Sequence, residues 1–150
     1  MKILDLSAGN RAIWFNKEYP DTIYLDIRPE VNPSIIGDSR KTSFKDGEFD
    51  LLVFDPPHCS TGPNSQMTKT YGLFKAEEIR TIVRETAKEA HRIAKKDALM
   101  VFKWNDHDQK LSKVLDLMID YWEPLFGHKT SMRLKHVSMT TWVMLRRRDD

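Results

Sequence analysis

The sequence contains little cysteine, no long apolar run and almost no excess charge. Cys59 is its single cysteine in 150 residues, which excludes an internal disulfide and a zinc site made of several cysteines. No apolar run approaches the roughly 20 residues of a membrane span, and Asp5 interrupts the first apolar residues too early for a signal peptide. The net charge of +2 is too small to indicate a nucleic-acid partner by itself. We therefore expect one soluble domain over residues 1–150 in the cytoplasm, with no bound metal and no membrane partner.

Apolar runs with the spacing of strands alternate with runs that have the spacing of helices, which predicts an α/β fold. Strands are predicted near residues 3–6, 23–27, 34–36, 49–54 and 98–104, with two more between 126 and 147. Helices are predicted over residues 10–19, 76–96 and 111–122.

The connections between the second, third and fourth predicted strands are short. Only residues 28–33 and 37–48 lie between them, whereas parallel strands normally need a crossover of a dozen or more residues that is usually helical. The helices between these strands are therefore trimmed, and part of one sheet face is expected to lack a helical cover. A second copy of the chain or a substrate would then cover that face.

The tetrapeptide Asp55-Pro56-Pro57-His58 directly follows the fourth predicted strand. Ligands of open α/β sheets bind beyond the carboxyl ends of the strands, and the two prolines stiffen the turn and remove two N–H donors. Such a turn can aim the Asp55 carboxylate and nearby carbonyl groups at one amine, which must lose a proton when it reacts as a nucleophile. The ring of His58 offers a flat surface to a planar substrate. The same four residues would also serve as a plain turn at the end of a strand.

Other candidate groups follow the earlier strand ends in chain order. Asp5-Leu6-Ser7-Ala8-Gly9 ends the first strand with small residues, which let a ligand approach the backbone. Asp26 ends the second strand about 20 residues later, where a carboxylate can accept both hydroxyls of a ribose. Asp38 follows the third strand and can accept from an adenine amine. Each feature alone is typical of a tight turn or a solvated strand end, but together with Asp55 they meet at one edge of the sheet.

In combination these segments resemble class I S-adenosylmethionine-dependent methyltransferases that act on amines, whose hallmark is Asp/Asn/Ser-Pro-Pro followed by an aromatic residue. The sequence is most similar to small methyltransferase-like proteins of phages and prophages. The resemblance covers nearly the whole chain and rests on residues 4–5, 8–11, 14–15, 26–28, 49–51, 53–58, 71–72, 102–105 and 124–128. It implies a Rossmann-like fold with a mostly parallel seven-stranded sheet and an antiparallel last strand. For a phage-encoded protein it also implies the host cytoplasm.

The resemblance also implies roles for individual residues. The cofactor S-adenosylmethionine, which leaves as S-adenosylhomocysteine, would place its methionine end against Asp5, Ser7, Ala8 and Gly9. Its ribose would be held by Asp26, and its adenine would meet Ile27, Asp38 and Ser39. The amine to be methylated would be held, next to the cofactor, by Asp55, Pro56, Pro57 and His58.

Four further residues are weaker candidates for contact with the substrate: Tyr71, Lys103, Asn105 and His128. Lys103 and Asn105 leave the fifth predicted strand at the same edge, although Asn105 would equally suit a helix cap. Tyr71 lies in the long loop 58–74, where it would either cover the site or anchor the loop to the core. His128 begins a locally basic tail that would either contact phosphates or form a solvated hairpin.

We expect methyl transfer to an exocyclic amine, with adenine in DNA as the first candidate and cytosine as the second. RNA, protein and small-molecule amines are the alternatives among enzymes, and a non-catalytic module that binds a cofactor or a partner is the alternative of another class. No separate target-recognition domain fits within 150 residues, so sequence selectivity should be low or supplied by a partner. A base within a duplex would have to be flipped out. The candidate partners are a nucleic-acid substrate, a second copy of the chain and a specificity subunit.

Overall fold

The computed structural model describes residues 1–60, 64, 74–130 and 139–149. These residues contain seven strands: β1 (Ile3–Asp5), β2 (Thr22–Asp26), β3 (Ile35–Ile36), β4 (Phe49–Phe54), β5 (Ala94–Asn105), β6 (Trp122–Lys129) and β7 (Thr140–Arg147). The helices found in the same residues are α1 (Ala76–Ile93), α2 (Leu111–Leu115) and a 3-10 helix at Pro29–Val31.

The strands form one seven-stranded sheet with the order β3-β2-β1-β4-β5-β7-β6. The first five strands in this order pair in parallel, and β7 is antiparallel to both β5 and β6. The predicted α/β fold, with a mostly parallel sheet and a reversed last strand, is therefore confirmed. Because the parallel strands all end at the same edge of the sheet, the turns after β1, β2, β4 and β5 are neighbours there.

The main core lies between α1 and the sheet. The buried positions of α1 follow the helical spacing of the sequence, and they pack with side chains of β1, β4 and β5 in one apolar cluster. The helix ends at Ile93, three residues earlier than predicted, because Ala94 is buried as the first residue of β5 and pairs with Phe49.

Strand β5 contains a bulge near its start. Phe49 pairs with Ala94 but Leu51 pairs with Leu99, so the chain advances by five residues in β5 where it advances by two in β4. Asp97, whose φ is 61°, lies in this bulge. From Leu51 onward the pairing is continuous to Phe54 opposite Phe102, and the residues that come next, Asp55 and Lys103, therefore stand side by side.

The predicted helix over residues 10–19 is wrong, because this segment consists of turns. Arg11 has a left-handed backbone with φ of 55°, and its guanidinium carbon lies 4.1 Å from the centroid of the Tyr24 ring. The Trp14 ring packs edge-on against the same tyrosine at 5.3 Å. These tertiary contacts hold the segment over β2 and outweigh its local helical preference.

The predicted helix over residues 111–122 is largely wrong, since α2 ends at Leu115 and turns follow. Met118 and Trp122 are buried as their spacing suggested, but Trp122 begins β6 and its indole N–H donates to the carbonyl of Ala87 at 2.9 Å. Pro124 lies within β6 rather than after a helix. Because β6 is the outermost strand, the missing N–H of this proline leaves the sheet intact.

One face of the β5–β7 pair is only partly covered within the described residues. In β5 the residues Ala98, Met100, Phe102 and Trp104 are buried, whereas the alternate residues Leu99, Val101, Lys103 and Asn105 remain partly exposed. Trp142 and Met144 of β7 lie opposite the partly exposed residues and are themselves partly exposed. The uncovered part of the sheet was predicted from the short connections of β2, β3 and β4, and its cover by a second copy of the chain or by a substrate stays a prediction. No helix in the described part of the chain is long and apolar enough to cross a bilayer.

The close approach of β6 to β7 requires glycine at position 127. A Cβ at Gly127 would lie 2.8 Å from the carbonyl oxygen of Trp142, so Gly127→Ala must push the edge strand away. We expect the free energy of unfolding to fall by about 1–3 kcal/mol, as for other overpacked sites. Leu125→Ala changes an exposed side chain of the same strand and should stay within about 0.5 kcal/mol. Equal denaturation midpoints for the two variants in urea would contradict this reading of the strand contact.

Candidate functional site

A cavity of about 690 Å³ opens at the edge where β1, β2, β4 and β5 end. Most of the residues singled out in the sequence line it: Ser7, Ala8, Gly9, Asp26, Ile27, Asp38, Ser39, Asp55, Pro56, Pro57, His58 and Lys103. A volume of this size is ordinary for a small-molecule or cofactor site. The residues that follow successive strands along the chain thus line one cavity.

The turn after β1 is bound to both neighbouring strand ends. The hydroxyl of Ser7 accepts from the backbone N–H of Asp55 at 2.8 Å, and the N–H of Gly9 donates to the Asp26 carboxylate at 2.8 Å. Gly9 has φ of 50°, a conformation that a residue without a side chain adopts at little cost. The first turn therefore sets the positions of the other two acids.

Asp5 is buried beneath this turn rather than in the cavity lining. Its carboxylate accepts from the Trp14 indole N–H at 2.7 Å and from the Ser7 backbone N–H at 3.1 Å. Burial raises the pKa of Asp5 to about 6, and although these two hydrogen bonds oppose the rise, the nearby carboxylates of Asp55 and Asp26 add to it. The indole of Trp14 was not among the predicted site residues, because only the turn-rich path of residues 10–19 brings it to Asp5.

The Asp26 carboxylate is surrounded by donors from Arg28. It accepts from the Arg28 backbone N–H at 2.9 Å and from the guanidinium Nε and Nη2 at 3.0 and 3.2 Å, in addition to the bond from Gly9. Burial alone would raise the pKa of Asp26, but these hydrogen bonds and the guanidinium charge lower it overall. Asp26 is therefore ionised near neutral pH.

Asp38 repeats the local geometry of Asp26. It accepts from the backbone N–H and the Nε of Arg40, both at 2.9 Å, and the guanidinium lowers the pKa of Asp38. Neither arginine was predicted as a site residue, yet both line the cavity. The signal was present in the sequence as the repeated pattern Asp-x-Arg at 26–28 and 38–40.

Ile27 and Ser39 are the middle residues of these two Asp-x-Arg segments. The side chain of Ile27 is 62% exposed although it borders the cavity, so a flat apolar ring would gain by covering it. The hydroxyl of Ser39 is 2.9 Å from that of Thr86 on α1. Ser39 therefore ties its loop to the helix as well as lining the cavity.

Asp55 forms an ion pair with Lys103 at the part of the cavity wall that follows β4 and β5. The Lys103 Nζ lies 2.8 Å from Oδ2 of Asp55, and both side chains are about a quarter exposed, at 26% and 21%. The pair follows from the parallel register of β4 and β5, which places these residues side by side. Lys103, a weak candidate in the sequence, is thus in direct contact with the main acid of the Pro-Pro turn.

His58 is half-buried beside this pair, and its ring lies edge-on to Trp104 at 6.2 Å. Burial lowers the pKa of His58, against the opposing charge of Asp55, so the imidazole is neutral near pH 7. Its Nδ1 is buried without a hydrogen-bond partner within the described residues.

Asn105 and His128 are not among the residues that line the cavity. Asn105 donates to the Thr140 hydroxyl and accepts from the His107 backbone N–H, so both ends of its amide serve the local structure. His128 is exposed on the edge strand β6. Tyr71, like the basic tail residues of 131–138, lies outside the described residues.

Cys59 lines the cavity, but its environment does not activate a thiolate. Burial raises the pKa of Cys59, and the charge of Asp108 raises it further. The described residues also contain no group of three or more acids, histidines or cysteines that could hold a metal ion.

Comparison with known proteins gives similarity in fold alone. No family model and no curated protein matches the sequence. Among solved structures, a protein from Pyrococcus horikoshii OT3 has a TM-score of 0.70 at 16% identity, with 98% of this chain and 82% of that chain covered. The N-methyltransferase NodS from Bradyrhizobium japonicum, crystallised with S-adenosyl-L-homocysteine, has a TM-score of 0.65 at 13% identity over 99% and 78%. A TehB-like S-adenosylmethionine-dependent methyltransferase from Corynebacterium glutamicum has a TM-score of 0.64 at 17% identity over 98% and 80%.

The sheet order and the reversed β7, together with these matches, give the Rossmann-like fold of class I methyltransferases. The same fold is also matched by the [4+2]-cyclase SpnF at a TM-score of 0.66 and 10% identity. The fold alone therefore does not identify the reaction, which depends on the residues of the cavity.

The raised pKa of Asp5 predicts a pH-dependent stability difference. Because the folded value of about 6 lies above the ordinary 3.8, the folded state holds the proton more tightly, and this contribution to stability is lost as the pH rises from 4 through 6. Asp5→Asn cannot titrate, so its free energy of unfolding relative to the wild type should improve by about 2.5 kcal/mol between pH 4 and pH 7.5.

Urea denaturation at the two pH values measures this change. The exposed Asp120 supplies the control, since Asp120→Asn should keep a constant difference from the wild type. A constant difference for Asp5→Asn as well would contradict the raised pKa.

Proposed function

We infer that this protein transfers the methyl group of S-adenosylmethionine to an exocyclic amine, with adenine or cytosine in DNA as the favoured substrate. The observation that carries this proposal is the contact between Asp55 and an amine nitrogen of the chain itself, that of Lys103, at 2.8 Å on the cavity wall. The adjoining part of the wall consists of the turn after β1 and the residues that follow β2 and β3, which suit an adenosine with a charged tail.

The residues on that wall fit the cofactor in chemical type. Asp26 is an ionised acceptor for ribose hydroxyls, and Ile27 presents exposed apolar surface to a flat base. Gly9 keeps the backbone open to close approach. The buried carboxyl of Asp5 lies below the same turn, where a ligand ammonium would favour its ionised form.

Binding of a ribose at Asp26 has a consequence for Arg28. The four donors from Gly9 and Arg28 already fill the acceptor positions of the carboxylate. The backbone bonds from Gly9 and Arg28 belong to the turn geometry, so ribose hydroxyls would replace the guanidinium. Arg28 therefore adjusts its side chain when the cofactor binds, while Asp26 stays in place.

The bound cofactor supplies an electrophilic methyl group on a sulfonium, and transfer is an in-line displacement by the amine nitrogen. Asp55 orients the amine by accepting one of its hydrogens, stabilises the positive charge that develops on the nitrogen as the methyl–sulfur bond breaks, and takes the proton that the methylated nitrogen must lose. Pro56 and Pro57 keep the turn rigid, so the attacking nitrogen is held in one position. His58, neutral and with a buried Nδ1 lacking a partner in the described residues, borders the space for the ring that carries the amine.

The choice of DNA rests on the resemblance in sequence and not on the comparisons. RNA, protein and small-molecule amines remain the alternatives, and a non-catalytic binding module is the alternative of another class. An ion pair between Asp55 and Lys103 beside a cavity of this size favours an enzyme, since a module that only binds a partner needs no carboxylate at that position.

Asp55→Ala tests the reaction. We expect transfer of a labelled methyl group to single-stranded DNA to fall about 100-fold or more, as when a group that stabilises developing charge is removed. Affinity for S-adenosylhomocysteine should be largely kept. The matched control is Asp50→Ala, since Asp50 lies near the start of β4, the strand that Asp55 follows, and pairs with Lys95, also at 2.8 Å.

The assay should offer duplex DNA, RNA and a cell protein extract beside single-stranded DNA. Label in RNA or protein alone would replace the substrate and keep the chemistry. Full activity of Asp55→Ala would remove the proposed role of this residue, and bound cofactor with no label anywhere would favour a binding module.

Asp26→Ala tests the cofactor site. Loss of charge-assisted hydrogen bonds to the ribose should weaken S-adenosylhomocysteine binding by about 1.5–3 kcal/mol, which is one to two decades in Kd. Calorimetry measures the affinity, and a thermal melt of each variant checks that the fold is kept. Asp120→Ala removes an exposed acid and should bind normally; equal affinity for both variants would refute the assignment of Asp26.

A further inference from the structure

The Lys103 ammonium occupies the position on Asp55 where the proposed function places the substrate amine. Its Nζ lies 2.8 Å from Oδ2, and the second oxygen, Oδ1, accepts no hydrogen bond from the described residues. A substrate amine would therefore meet a carboxylate that is already half-neutralised by a cation of the chain. Binding of a substrate amine at this oxygen therefore requires the ammonium to move.

The ammonium has a second neighbour on the sheet. Lys103 pairs with Trp142 of β7, and its Nζ already lies 5.6 Å from the centroid of the indole ring, close enough for a cation–π contact. His128 of β6 pairs with Trp142 in turn. Because directly paired residues point to the same face of a sheet, a row of side chains leads from Asp55 through Lys103 and Trp142 to the exposed edge at His128.

We propose that Lys103 selects substrates that carry a phosphate near the reacting amine, and that it exchanges its contact with Asp55 for that phosphate when such a substrate binds. The proposal rests on the proposed function and names nucleic acid, with its phosphate backbone, as the substrate class. The row of side chains then serves as the path of the strand: Trp142 stacks an exposed base, and the ammonium meets the backbone beside it.

Electrostatics at Asp55 explain why the exchange matters for selection. Positive charge develops on the attacking amine, and an ammonium on the same carboxylate opposes that charge. A phosphate draws the ammonium away and leaves both carboxylate oxygens to the amine. A neutral substrate must displace the ammonium without such compensation, so it binds less tightly although it offers the same amine.

Binding of two short DNA strands that differ only in backbone charge tests this inference. The probes are a fluorescent single-stranded hexamer with one adenine and the same hexamer with neutral methylphosphonate linkages, each added to protein saturated with S-adenosylhomocysteine. The wild type should prefer the charged strand at least 10-fold. Lys103→Met keeps the apolar stem, and it should bind the neutral strand more tightly than the wild type does and lose most of the preference.

Salt dependence gives a second readout that a purely structural role would not change. Loss of one phosphate contact should lower the slope of log affinity against log salt by about 0.7 for a single strand. The matched control is Lys95→Met, because Lys95 is the lysine of the same strand that pairs with Asp50, also at 2.8 Å. Lys95→Met removes the same charge and should keep both the preference and the slope.

The inference is overturned if Lys103→Met weakens both strands equally, if it leaves the preference unchanged, or if the wild type binds neither strand. Failure of the proposed function has a different signature, since it would appear in the wild type as no binding of S-adenosylhomocysteine or no methyl transfer to any amine. A wild type that binds the cofactor and methylates only proteins would keep the chemistry and exclude nucleic acid as the class that Lys103 selects.

Discussion

Two hydrogen bonds that cross between strand ends hold the site together. The Ser7 hydroxyl accepts from the Asp55 backbone, and the Asp26 carboxylate accepts from the Gly9 backbone. Through them the turn after β1 is joined to β4 on one side and to β2 on the other, so three strand ends behave as one rigid unit. Parallel pairing alone would align the strands, but it would leave the turns beyond them free to take other paths.

The same unit brings three carboxylates close together, and each is stabilised in a different way. Asp26 is compensated by a guanidinium and Asp55 by an ammonium, and both cations come from side chains long enough to move. Asp5 has only neutral donors, the Trp14 indole and a backbone N–H, and its pKa is raised accordingly. The cavity thus has two acids with cationic partners above one acid that has none within the described residues.

Local patterns predicted the existence and order of the strands, and together with the family resemblance they named half of the residues that line the cavity. β4 was predicted with its observed ends because a continuous apolar run is bounded by polar residues, and α1 because its apolar spacing is regular. The same reasoning did not predict the path of residues 10–19, because contacts of Arg11 and Trp14 with Tyr24 determine it. The partners of the acids also escaped prediction, because the contact of Lys103 with Asp55 depends on strand register, and that of Trp14 with Asp5 on a chain path without regular structure.

The bulge at the start of β5 sets, from a distance, which side chain meets Asp55 in the cavity. It lies five residues of β4 away from Asp55, roughly 17 Å along the strand, and it determines which residue of β5 stands beside that acid. One residue fewer in the bulge would bring Trp104 to the place of Lys103, and one more would bring Phe102, because a shift of one residue exchanges the two faces of a strand. A change in the length of the bulge would therefore bring an aromatic ring to Asp55 and turn Lys103 into the core, so the core and the cavity together fix the number of residues in it.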